Sequence, residues 1–584
     1  MKELLSGNAA IARGAFEAGV TLASGYPGTP STEILENLSR YQDVYSEWAP
    51  NEKVALEVGV GAAMAGARTL VTMKHVGVNV AADPLFTAAY TGINGGLVLI
   101  SADDPGMHSS QNEQDNRHYA RFAKVAMLEP SNSQEAKDMV ALGLEISENF
   151  DIPVMLRITT RVAHSQGMVE LGEPIPRSIK PYSKDVKKYL MVPAFGRLRR
   201  LSLEERLARL KEYSENTPVN FIVPGDHQVG VITSGISYQY VREVLPGASV
   251  LKLGMTNPIP VQLIRQFAEQ VQTLYVVEEL EPYLEEQIRM LGIKVTGKEM
   301  LPATGEFDQG LLQRKFASAG VLPAQTLEDL AAGLPQAPPR PPVLCPGCPH
   351  RGVFYTLRSM KLTVAGDIGC YTLGGLPPLE GIDCSVCMGA SISMAHGIDK
   401  AVPGLKEKTV AVIGDSTFLH SGITSLLNAV YNGSDITVLI LDNRTTAMTG
   451  HQDHPATGRT LMGGEAPEVD LEALCRALGV KQVEMVDPLD MAAVKEAINT
   501  GLAAQGPSVI IARRPCVLLK RDAKPVVIVD QETCNGCKVC LKLSCPAISV
   551  SDQKSAVDQT LCVGCNLCIQ VCKTGAMKGG NADA

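Results

Sequence analysis

Short apolar runs rich in β-branched residues alternate with stretches of helical periodicity along most of this 584-residue chain. In the first part, the runs GVTLASG, RTLVTM, GLVLIS and PVMLRI predict buried strands. Between them, VALEVGVGAAMAGA and residues 133–147 repeat apolar positions at helical spacing. Because strands buried on both faces read as continuous apolar runs, this alternation predicts a parallel sheet with helices on both faces.

The same pattern returns twice further along the chain. HQVGVITSGIS, SVLKLG and TLYVVEE predict a smaller α/β domain, and KTVAVIG, ITVLILD and PSVIIAR predict a third one. A charged insert containing LSLEERLARLKEYSE, which we expect to be a solvent-facing helix, precedes the second domain, and a stiff proline-rich linker follows it. The predicted boundaries are 1–165 for the first domain, 166–225 for the insert and 226–325 for the second domain. They are 326–344 for the linker, 345–520 for the third domain and 521–584 for a C-terminal domain.

Composition excludes several classes of protein. The net charge of −9, without a long Lys/Arg block, disfavours nucleic acid and anionic membranes as partners. No apolar run approaches the ~18–20 residues of a membrane span. The first twenty residues, MKELLSGNAAIARGAFEAGV, predict an amphipathic helix rather than a signal peptide. We therefore expect a cytoplasmic protein.

Fifteen cysteines in such a chain indicate metal ligands rather than disulfides. Eight of them lie in the C-terminal domain, in two runs that each begin C-x2-C-x2-C, and Pro546 directly follows the first run. This pattern is typical of two [4Fe–4S] clusters of the bacterial ferredoxin type, in which the fourth cysteine of each run ligates the other cluster. It predicts one cluster on Cys534, Cys537, Cys540 and Cys572, and the other on Cys562, Cys565, Cys568 and Cys545. Zinc knuckles are the alternative, although three cysteines at two-residue gaps fit tetrahedral zinc poorly.

The tail is an internal repeat, because each cysteine run follows a short strand-like segment, VVIVDQETC or AVDQTLC. Such a tail carries electrons, so it indicates redox chemistry elsewhere in the chain. Oxygen-sensitive clusters also favour an anaerobic or low-oxygen cell.

Polar residues follow two predicted strands of the third domain. Asp415 follows KTVAVIG, and Asn443 follows ITVLILD. Ligands bind at the carboxyl ends of parallel strands, and carboxylate and amide oxygens suit Mg²⁺. The segment resembles the thiamine diphosphate motif, Gly-Asp-Gly and then Asn, although Ser416 stands where glycine is usual. This resemblance implies cofactor contacts by Gly414, Asp415, Ser416, Asn443 and Thr445, the last through its carbonyl group. The alternative is an ordinary strand-to-helix turn capped by Asp415.

Taken together, these features resemble the 2-oxoacid:ferredoxin oxidoreductases, nearest the large α subunits of those that act on indolepyruvate. The segments that carry the resemblance span nearly the whole chain: YPGTPSTE (26–33), the helix around Glu57, Cys345-Pro-Gly-Cys348-Pro-His-Arg, Asp367-Ile-Gly-Cys370, the Asp415/Asn443 pair and the tail. The fold it implies is a set of doubly wound parallel-sheet domains that bind thiamine diphosphate, with a transketolase C-terminal-like domain over 226–325. A ferredoxin-like α+β domain completes the chain.

The resemblance also implies roles for residues of the first domain. Glu57 matches the glutamate that activates the cofactor through its aminopyrimidine ring, and we expect it on an apolar helix face. The alternative is a place on the exposed stripe of the helix, with Glu52. Thr29 matches a threonine that contacts substrate. The family's carboxylate-binding arginine has no counterpart here, so His75 and His108 are the nearest candidates, unless each is simply a satisfied buried histidine.

Four cysteines of the third domain match positions where the wider family holds a cluster beside the thiamine ring. The resemblance therefore implies a third [4Fe–4S] cluster on Cys345, Cys348, Cys370 and Cys516. Two alternatives stay open. Cys384 and Cys387 could join Cys345 and Cys348 in a zinc site, or the thiols could be plain buried side chains.

The activity implied by resemblance is oxidative decarboxylation of aryl pyruvates, such as indolepyruvate and phenylpyruvate, to aryl-acetyl-CoA. The implied cofactors are thiamine diphosphate, Mg²⁺ and the clusters. The implied partners are a smaller β subunit, coenzyme A and ferredoxin, in a dimer of αβ pairs. Two other classes remain open: a non-oxidative thiamine-dependent decarboxylase, which would leave the tail cysteines without a purpose, and an electron carrier with a degenerate thiamine fold.

Overall fold

The chain divides into two compact units, Met1–Leu334 and Pro335–Ala584. A computed structural model describes residues 1–323, 338, 340–402, 405, 408–519 and 525–579. Most of the predicted linker, 326–344, therefore lies outside the described residues. Among the residues described, no helix has the length and apolar character needed to cross a membrane.

The first unit is built on two sheets and a short ribbon. Its strands are β1 (Lys2–Ser6), β2 (Leu22–Gly25), β3 (Tyr45–Trp48), β4 (Thr69–Lys74), β5 (Leu97–Asp103), β6 (Ala126–Leu128), β7 (Val154–Thr159), β8 (Gln166–Glu170), β9 (Asn220–Val223), β10 (Asp226–Thr233), β11 (Ala248–Leu253), β12 (Met255–Asn257) and β13 (Thr273–Val277). The larger sheet has the order β12-β6-β7-β5-β4-β2-β3 and is parallel except for β12. The predicted strands GVTLASG, RTLVTM, GLVLIS and PVMLRI correspond to β2, β4, β5 and β7.

The helices of this unit connect and cover the strands. They are α1 (Gly7–Glu17), α2 (Thr32–Leu38), α3 (Glu52–Met64), α4 (His75–Val80), α5 (Ala82–Thr91), α6 (Arg117–Ala123), α7 (Ser133–Phe150), α8 (Thr160–His164), α9 (Val186–Tyr189), α10 (Pro193–Asn216), α11 (Ser237–Val244), α12 (Val261–Glu269), α13 (Tyr283–Met290) and α14 (Gln309–Ser318). Helix α3 packs on β2 and β4, and α7 packs on β5 and β7. Every residue of β5 and β7 is buried, which explains the apolar runs LVLI and VML with which they begin.

Three sequence-based expectations for this unit need correction. The N-terminus does not begin as a helix, because residues 2–6 form β1 and pair with β8 from the predicted insert. The insert's long helix α10 buries Leu203 and Leu210, so it is not wholly solvent-facing. The smaller sheet, β13-β10-β11-β9, takes its antiparallel edge strand from residues 220–223, before the predicted boundary at 226, while β12 joins the larger sheet.

A buried network of charges ties the two sheets of this unit together. Arg117, 1% exposed, donates to Asp115 and, at 2.6 Å, to Glu278, which follows β13. Arg157 on β7 donates at 2.6 Å to Asp103 and at 2.7 Å to Glu129. The charge of Arg117, which is hydrogen-bonded to it, holds the pKa of Asp115 at about 2 although burial acts to raise it. Asp115 stays ionised inside the protein because the guanidinium group of Arg117 is buried with it, whereas burial raises the pKa values of Asp103 and Glu278.

The second unit contains a parallel sheet and the C-terminal tail. Its strands are β14 (Thr363–Ala365), β15 (Thr409–Gly414), β16 (Thr437–Asp442), β17 (Gln482–Val486), β18 (Ser508–Arg513), β19 (Val527–Val529), β20 (Ile548–Ser551), β21 (Lys554–Val557) and β22 (Met577–Gly579). Its helices are α15 (His350–Met360), α16 (Ser391–Ala401), α17 (Asp415–Thr417), α18 (Ile423–Tyr431), α19 (Leu471–Ala477), α20 (Met491–Leu502) and α21 (Leu567–Val571). The five-stranded sheet has the order β14-β15-β16-β18-β17 and is parallel throughout.

Alternate residues of this sheet enter two separate cores. Val410 and Val412 of β15 pack in one core with α15 and α20, whereas Ala411 and Ile413 pack in another with α16 and α18. The sheet is therefore covered by helices on both faces, as the alternating pattern predicted.

The tail is two antiparallel pairs of strands, β19 with β22 and β20 with β21, around its own small core. Tyr355 of α15 and Met491 at the start of α20 pack against that core. Gln570 bonds the main chain of Leu489 and Met491, at 2.7 and 3.1 Å. The tail is thus docked on the parallel-sheet domain by both apolar and polar contacts.

We predict that Arg157→Met lowers the free energy of unfolding of the first unit by about 3–5 kcal/mol, because Asp103 and Glu129 would remain buried without their cation. Trp48, the one tryptophan in the chain, lies on β3 and reports this unit in denaturant titrations followed by fluorescence. Arg161→Met is the matched control, because Arg161 pairs with Glu306 at the surface. Its replacement should lower the free energy of unfolding by less than about 1 kcal/mol. Equal losses in the two variants would contradict the role of the buried network.

Candidate functional site

The carboxyl ends of β15 and β16 meet at one edge of the second unit's sheet. The two strands pair in parallel, with Gly414 opposite Leu441. Asp415 and Asn443 follow these strands directly, and both are buried. Parallel pairing therefore brings together two side chains that are 28 residues apart in the sequence.

Three polar groups lie at this edge. The side-chain amide of Asn443 lies 2.8 Å from the carbonyl oxygen of Thr445 and 3.2 Å from Oδ1 of Asp415, and it donates to both when its nitrogen faces them. If the amide turned over, its oxygen would join the other two around a cation. Carboxylate, amide and carbonyl oxygens are ligands that Mg²⁺ accepts, so the three predicted ligands fit this cation.

Asp415 is held as an anion. Its Oδ2 accepts from the main-chain N–H of Arg444 at 2.8 Å and lies 3.2 Å from Nε2 of His454, while Oδ1 accepts from the N–H of Ser416 at 2.9 Å. Burial acts to raise the pKa of Asp415, but the hydrogen bond and charge of His454 hold that pKa below its ordinary value. The carboxylate is therefore charged and fixed in orientation, as a metal ligand must be.

Its neighbour Asp442 behaves differently. Burial and the adjacent Asp415 carboxylate raise the pKa of Asp442 to about 6, although Arg513 donates to it at 2.6 Å. Of these two carboxyl groups, Asp415 is the one that remains ionised over the wider pH range.

The remaining residues of the predicted motif line the same edge. The side chain of Ser416 accepts a hydrogen bond from Thr446 at 2.9 Å. A Cβ atom on Gly414 would lie 2.7 Å from the ring of Tyr371, so glycine permits this close approach. Sequence reasoning missed Tyr371 and His454, for which no motif gave a signal.

His350 is a further residue that sequence reasoning left without a role. Burial lowers its pKa to about 4, although the charge of Asp415 acts in the opposite direction. His350 is therefore neutral near pH 7. Its place within the Cys345-Pro-Gly-Cys348-Pro-His motif was the available signal.

In the first unit the structure contradicts the predicted position of Glu57. The Glu57 side chain is 46% exposed and pairs with Lys53 one turn earlier on α3. Glu52 is the buried glutamate of this helix, at 6% exposure, and a Cβ atom on Gly77 would lie 2.8 Å from its Oε1. The buried stripe of α3 includes Glu52, Leu56, Gly59 and Ala63, which are helically spaced. Glu57 therefore lies off the buried stripe on which we expected it, and its role at the cofactor stays a prediction.

Thr29 lies beside a cation that the sequence analysis overlooked. Lys74, the last residue of β4, donates to the carbonyl of Ser109 at 3.0 Å, and the Ser109 hydroxyl donates to the carbonyl of Thr29 at 3.4 Å. Burial lowers the pKa of Lys74, while the charges of Asp104 and Glu52 act to raise it. An ammonium group in this position could receive a substrate carboxylate, the role for which no arginine was found.

The two candidate histidines have different surroundings. His75 begins α4, is fully buried, and its Nε2 lies 2.9 Å from Oδ1 of Asn112. Its Nδ1 has no hydrogen-bond partner in the described part of the chain. His108 has a side chain 53% exposed and lies 3.5 Å from Glu306. His75 thus lies at the strand edge with Lys74, whereas His108 belongs to the surface.

The eight tail cysteines surround two cavities. One is lined by Cys534, Cys537, Cys540 and Cys572, and the other by Cys545, Cys562, Cys565 and Cys568. The fourth cysteine of each run therefore lies with the three cysteines of the other run, because the chain crosses between the two halves of the repeat. Four thiols around each cavity fit a [4Fe–4S] cluster.

The structure also gathers Cys345, Cys348, Cys370 and Cys516. Burial raises the pKa of Cys348 to about 12, with Cys345 and Cys370 contributing in the same direction. Burial likewise raises the pKa of Cys370 to about 11, with contributions from Cys516 and Cys345. These thiols are close enough to affect one another's charge.

Cys384 and Cys387 have other neighbours. Burial and the charge of Asp383 raise the pKa of Cys384, and burial and the charge of Asp367 raise that of Cys387. Within residues 1–323, 338, 340–402, 405, 408–519 and 525–579, no three His, Cys, Asp or Glu side chains are close enough to hold one metal ion. The thiols around each cavity are thus farther apart than the ligands of a single ion.

Comparison with known protein families gives three matches. Residues 13–194 match the family described as "Pyruvate flavodoxin/ferredoxin oxidoreductase, thiamine diP-bdg". Residues 367–512 match "Thiamine pyrophosphate enzyme, C-terminal TPP binding domain", and residues 556–578 match "4Fe-4S binding domain". The fold and these matches define an oxidoreductase of the thiamine diphosphate-dependent 2-oxoacid:ferredoxin class, with an iron–sulfur tail.

The chain belongs to the IorA family of indolepyruvate oxidoreductase subunits. It is 43% identical to the protein named "Indolepyruvate oxidoreductase subunit IorA" of Archaeoglobus fulgidus, over 99% of this chain and 97% of the relative. Its identity to the protein of the same name from Pyrococcus horikoshii is 41%, over the same shares of the two chains. A solved structure of 2-oxoglutarate:ferredoxin oxidoreductase from Magnetococcus marinus matches 54% of this chain and 65% of its own, with 17% identity and a TM-score of 0.48.

We predict that Asp415→Asn weakens Mg²⁺-dependent binding of thiamine diphosphate by about 10–100-fold, because a charge-assisted interaction contributes ~1.5–3 kcal/mol. Calorimetric titration of the assembled protein with cofactor, at several Mg²⁺ concentrations, measures this. Asp470→Asn is the matched control: it changes the exposed cap of α19, where asparagine caps equally well. Binding by Asp415→Asn as tight as that of the unchanged protein would contradict the assignment.

Proposed function

We propose that this chain is the large subunit of an enzyme that oxidatively decarboxylates aryl pyruvates to aryl-acetyl-CoA and passes the electrons to a ferredoxin. The observation that carries the proposal is that the Asp415 carboxylate, the Asn443 amide and the Thr445 carbonyl lie together at the strand edge, in a chain that also bears a cluster-binding tail. The aryl pyruvate substrates are supported by the names of relatives that are 40–43% identical over nearly the whole chain. Those names also say "subunit", which supports a partner subunit. The family resemblance implies that this partner is a smaller β subunit and that the assembly is a dimer of αβ pairs.

Each end of the cofactor has candidate residues. Asp415, Asn443 and the Thr445 carbonyl would hold Mg²⁺ and, through it, the diphosphate. For the aminopyrimidine end we favour Glu52 over Glu57, because its carboxyl group is buried on an apolar helix stripe, where a ring nitrogen would be a suitable hydrogen-bond partner. When bound, thiamine diphosphate supplies the electron sink that decarboxylation of a 2-oxoacid requires.

The chain's own residues would orient the substrate, exclude water and hold the clusters. Lys74, next to Thr29, would orient the carboxylate that is lost as CO₂, while the buried surroundings of Glu52 would exclude water from its carboxyl group. The two tail cavities would hold one [4Fe–4S] cluster each. The thiols of Cys345, Cys348, Cys370 and Cys516 would hold a third.

We predict that Glu52→Gln reduces ferredoxin reduction by at least about 100-fold, since proton transfer by a placed side chain contributes roughly 10²–10⁴-fold. The assay is anaerobic and contains coenzyme A together with one 2-oxoacid, either indolepyruvate or phenylpyruvate. Glu57→Gln is the matched control on the same helix. It removes only a surface ion pair with Lys53, so we expect the rate to stay within about twofold of that of the unchanged enzyme.

The assay separates the proposed function from the other classes. If Glu57→Gln abolished turnover and Glu52→Gln did not, the assignment of the activating glutamate would be wrong. Full activity in both variants would favour an electron carrier without thiamine chemistry. Aldehyde formation without coenzyme A would favour a non-oxidative decarboxylase.

We predict that the anaerobically isolated chain holds about twelve irons and that Cys370→Ser lowers this by about four, as expected for loss of one [4Fe–4S] cluster. Iron and acid-labile sulfide analysis measures the number. Cys475→Ser is the control, because Cys475 is a buried thiol on α19 outside all three groups. About eight irons in the unchanged chain, with no loss on Cys370→Ser, would leave the middle thiols as plain side chains.

A further inference from the structure

One cation is buried between two of the cysteine groups. Arg351, in the first turn of α15, is 1% exposed. Its guanidinium donates at 2.5 Å to the carbonyl of Leu543, in the tail, and at 3.0 Å to that of Cys345, with a further bond to that of Leu344. The hydrogen bonds described for this guanidinium all go to main-chain carbonyl groups. A buried guanidinium neutralised by carbonyl groups alone is costly, so a further source of negative charge is expected nearby.

The cysteines provide that negative charge when they are thiolates. Arg351 lines the cavity of Cys545, Cys562, Cys565 and Cys568. Its guanidinium also donates to the carbonyl of Cys345, in the loop of the middle thiols. Arg351 thus lies between one cysteine group on each side of the contact between the tail and the sheet domain.

The two cysteine loops on either side of Arg351 touch directly. A Cβ atom on Gly347, between Cys345 and Cys348, would lie 2.2 Å from Cγ2 of Val563, between Cys562 and Cys565. Gly347 also has a φ of +74°, a conformation that favours glycine. A side chain at this position would force the loops apart, so the glycine keeps the two thiol groups close.

The second tail cavity lies elsewhere. Its lining consists of tail residues from Val529 to Met577, without Arg351 or the Cys345–Cys348 loop. One of its ligand candidates, Cys537, is exposed. The two cavities therefore differ in the charge beside them: one adjoins a buried cation, and the other approaches solvent.

We propose that Arg351 is a positioning residue for electron transfer, whose buried charge raises the reduction potential of the cluster bound by Cys545, Cys562, Cys565 and Cys568. The inference rests on the proposed function for the presence of clusters. Each cluster gains one negative charge when it accepts one electron, and an adjacent cation stabilises the reduced form. Electrons released by the oxidation of the 2-oxoacid then enter the tail at this cluster and leave from the one beside Cys537.

The test is a redox titration of the assembled enzyme, followed by electron paramagnetic resonance with a chemical reductant. Arg351→Gln should lower the midpoint potential of one tail cluster by 59 mV or more, which is a tenfold change in a one-electron equilibrium. The other tail cluster, identified by its altered signal in Cys537→Ser, should keep its midpoint. Arg351→Lys preserves the charge and should stay near the unchanged enzyme.

Arg358→Gln is the matched control. Arg358 lies two turns later on α15 and pairs with Glu380 near the surface, so its loss should move neither midpoint. Because a chemical reductant supplies the electrons, the shift does not depend on the 2-oxoacid oxidised or on a third cluster. Absence of clusters from the unchanged enzyme would instead count against the proposed function.

Several outcomes would overturn the inference. One is an iron-replete Arg351→Gln enzyme whose midpoint potentials are unchanged. Another is an equal shift in the midpoint potentials of both tail clusters. A third is loss of iron from both Arg351→Gln and Arg351→Lys, which would indicate a structural role alone. If only Arg351→Gln lost iron, the Arg351→Lys variant would be the deciding one. A midpoint potential of its Arg351-side tail cluster equal to that of the unchanged enzyme would support the role of the charge. A lower midpoint potential in Arg351→Lys would contradict that role.

Discussion

The parallel pairing of β15 with β16 is the constraint on which the candidate cofactor site depends. It places two strand ends side by side, so that a carboxylate, an amide and a main-chain carbonyl converge although no two of Asp415, Asn443 and Thr445 are adjacent in sequence. The cores on both faces of the sheet fix this edge, because alternate residues of β15 are packed against different helices. A cation site assembled in this way is as rigid as the sheet.

A second constraint determines how the tail relates to the sheet domain. Helix α15 begins directly after the Cys345–Cys348 loop, and its first turn supplies the side chain that bonds the tail carbonyl of Leu543. The same helix presents Gly352, where a Cβ atom would lie 3.0 Å from Leu567 of the tail. One helix thus positions both the middle thiols and the nearer tail cavity. The distance between these groups is set by packing and not by a flexible connection.

The sequence predicted the features that depend on local spacing. Cysteines at fixed gaps and polar residues after apolar runs lead to the cysteine groups and the Asp415/Asn443 pair without any knowledge of packing. The position of Glu57 was not predicted correctly: it was expected on an apolar helix face, whereas the helix stripe that faces the sheet passes through Glu52. Lys74, His454 and Arg351 could not be found by spacing, because their contacts join residues 35, 39 and 192 positions apart.

Charged side chains are buried at three places in the described part of this chain, and the charge is compensated differently at each place. In the first unit, Arg117 and Arg157 neutralise carboxylates within the protein. At the sheet edge, His454 and main-chain N–H groups orient Asp415, and the Asn443 amide lies 3.2 Å from its Oδ1. Beside the tail, Arg351 has only carbonyl acceptors among the contacts described, so its balance requires thiolates on either side.

These last two places differ in the charge that they are suited to receive. The anionic Asp415 suits a cation, and the buried Arg351 suits an anionic group. A cation bound to a diphosphate and clusters bound by thiolates would meet these two needs, and this is the physical reason to place the two chemistries in one chain.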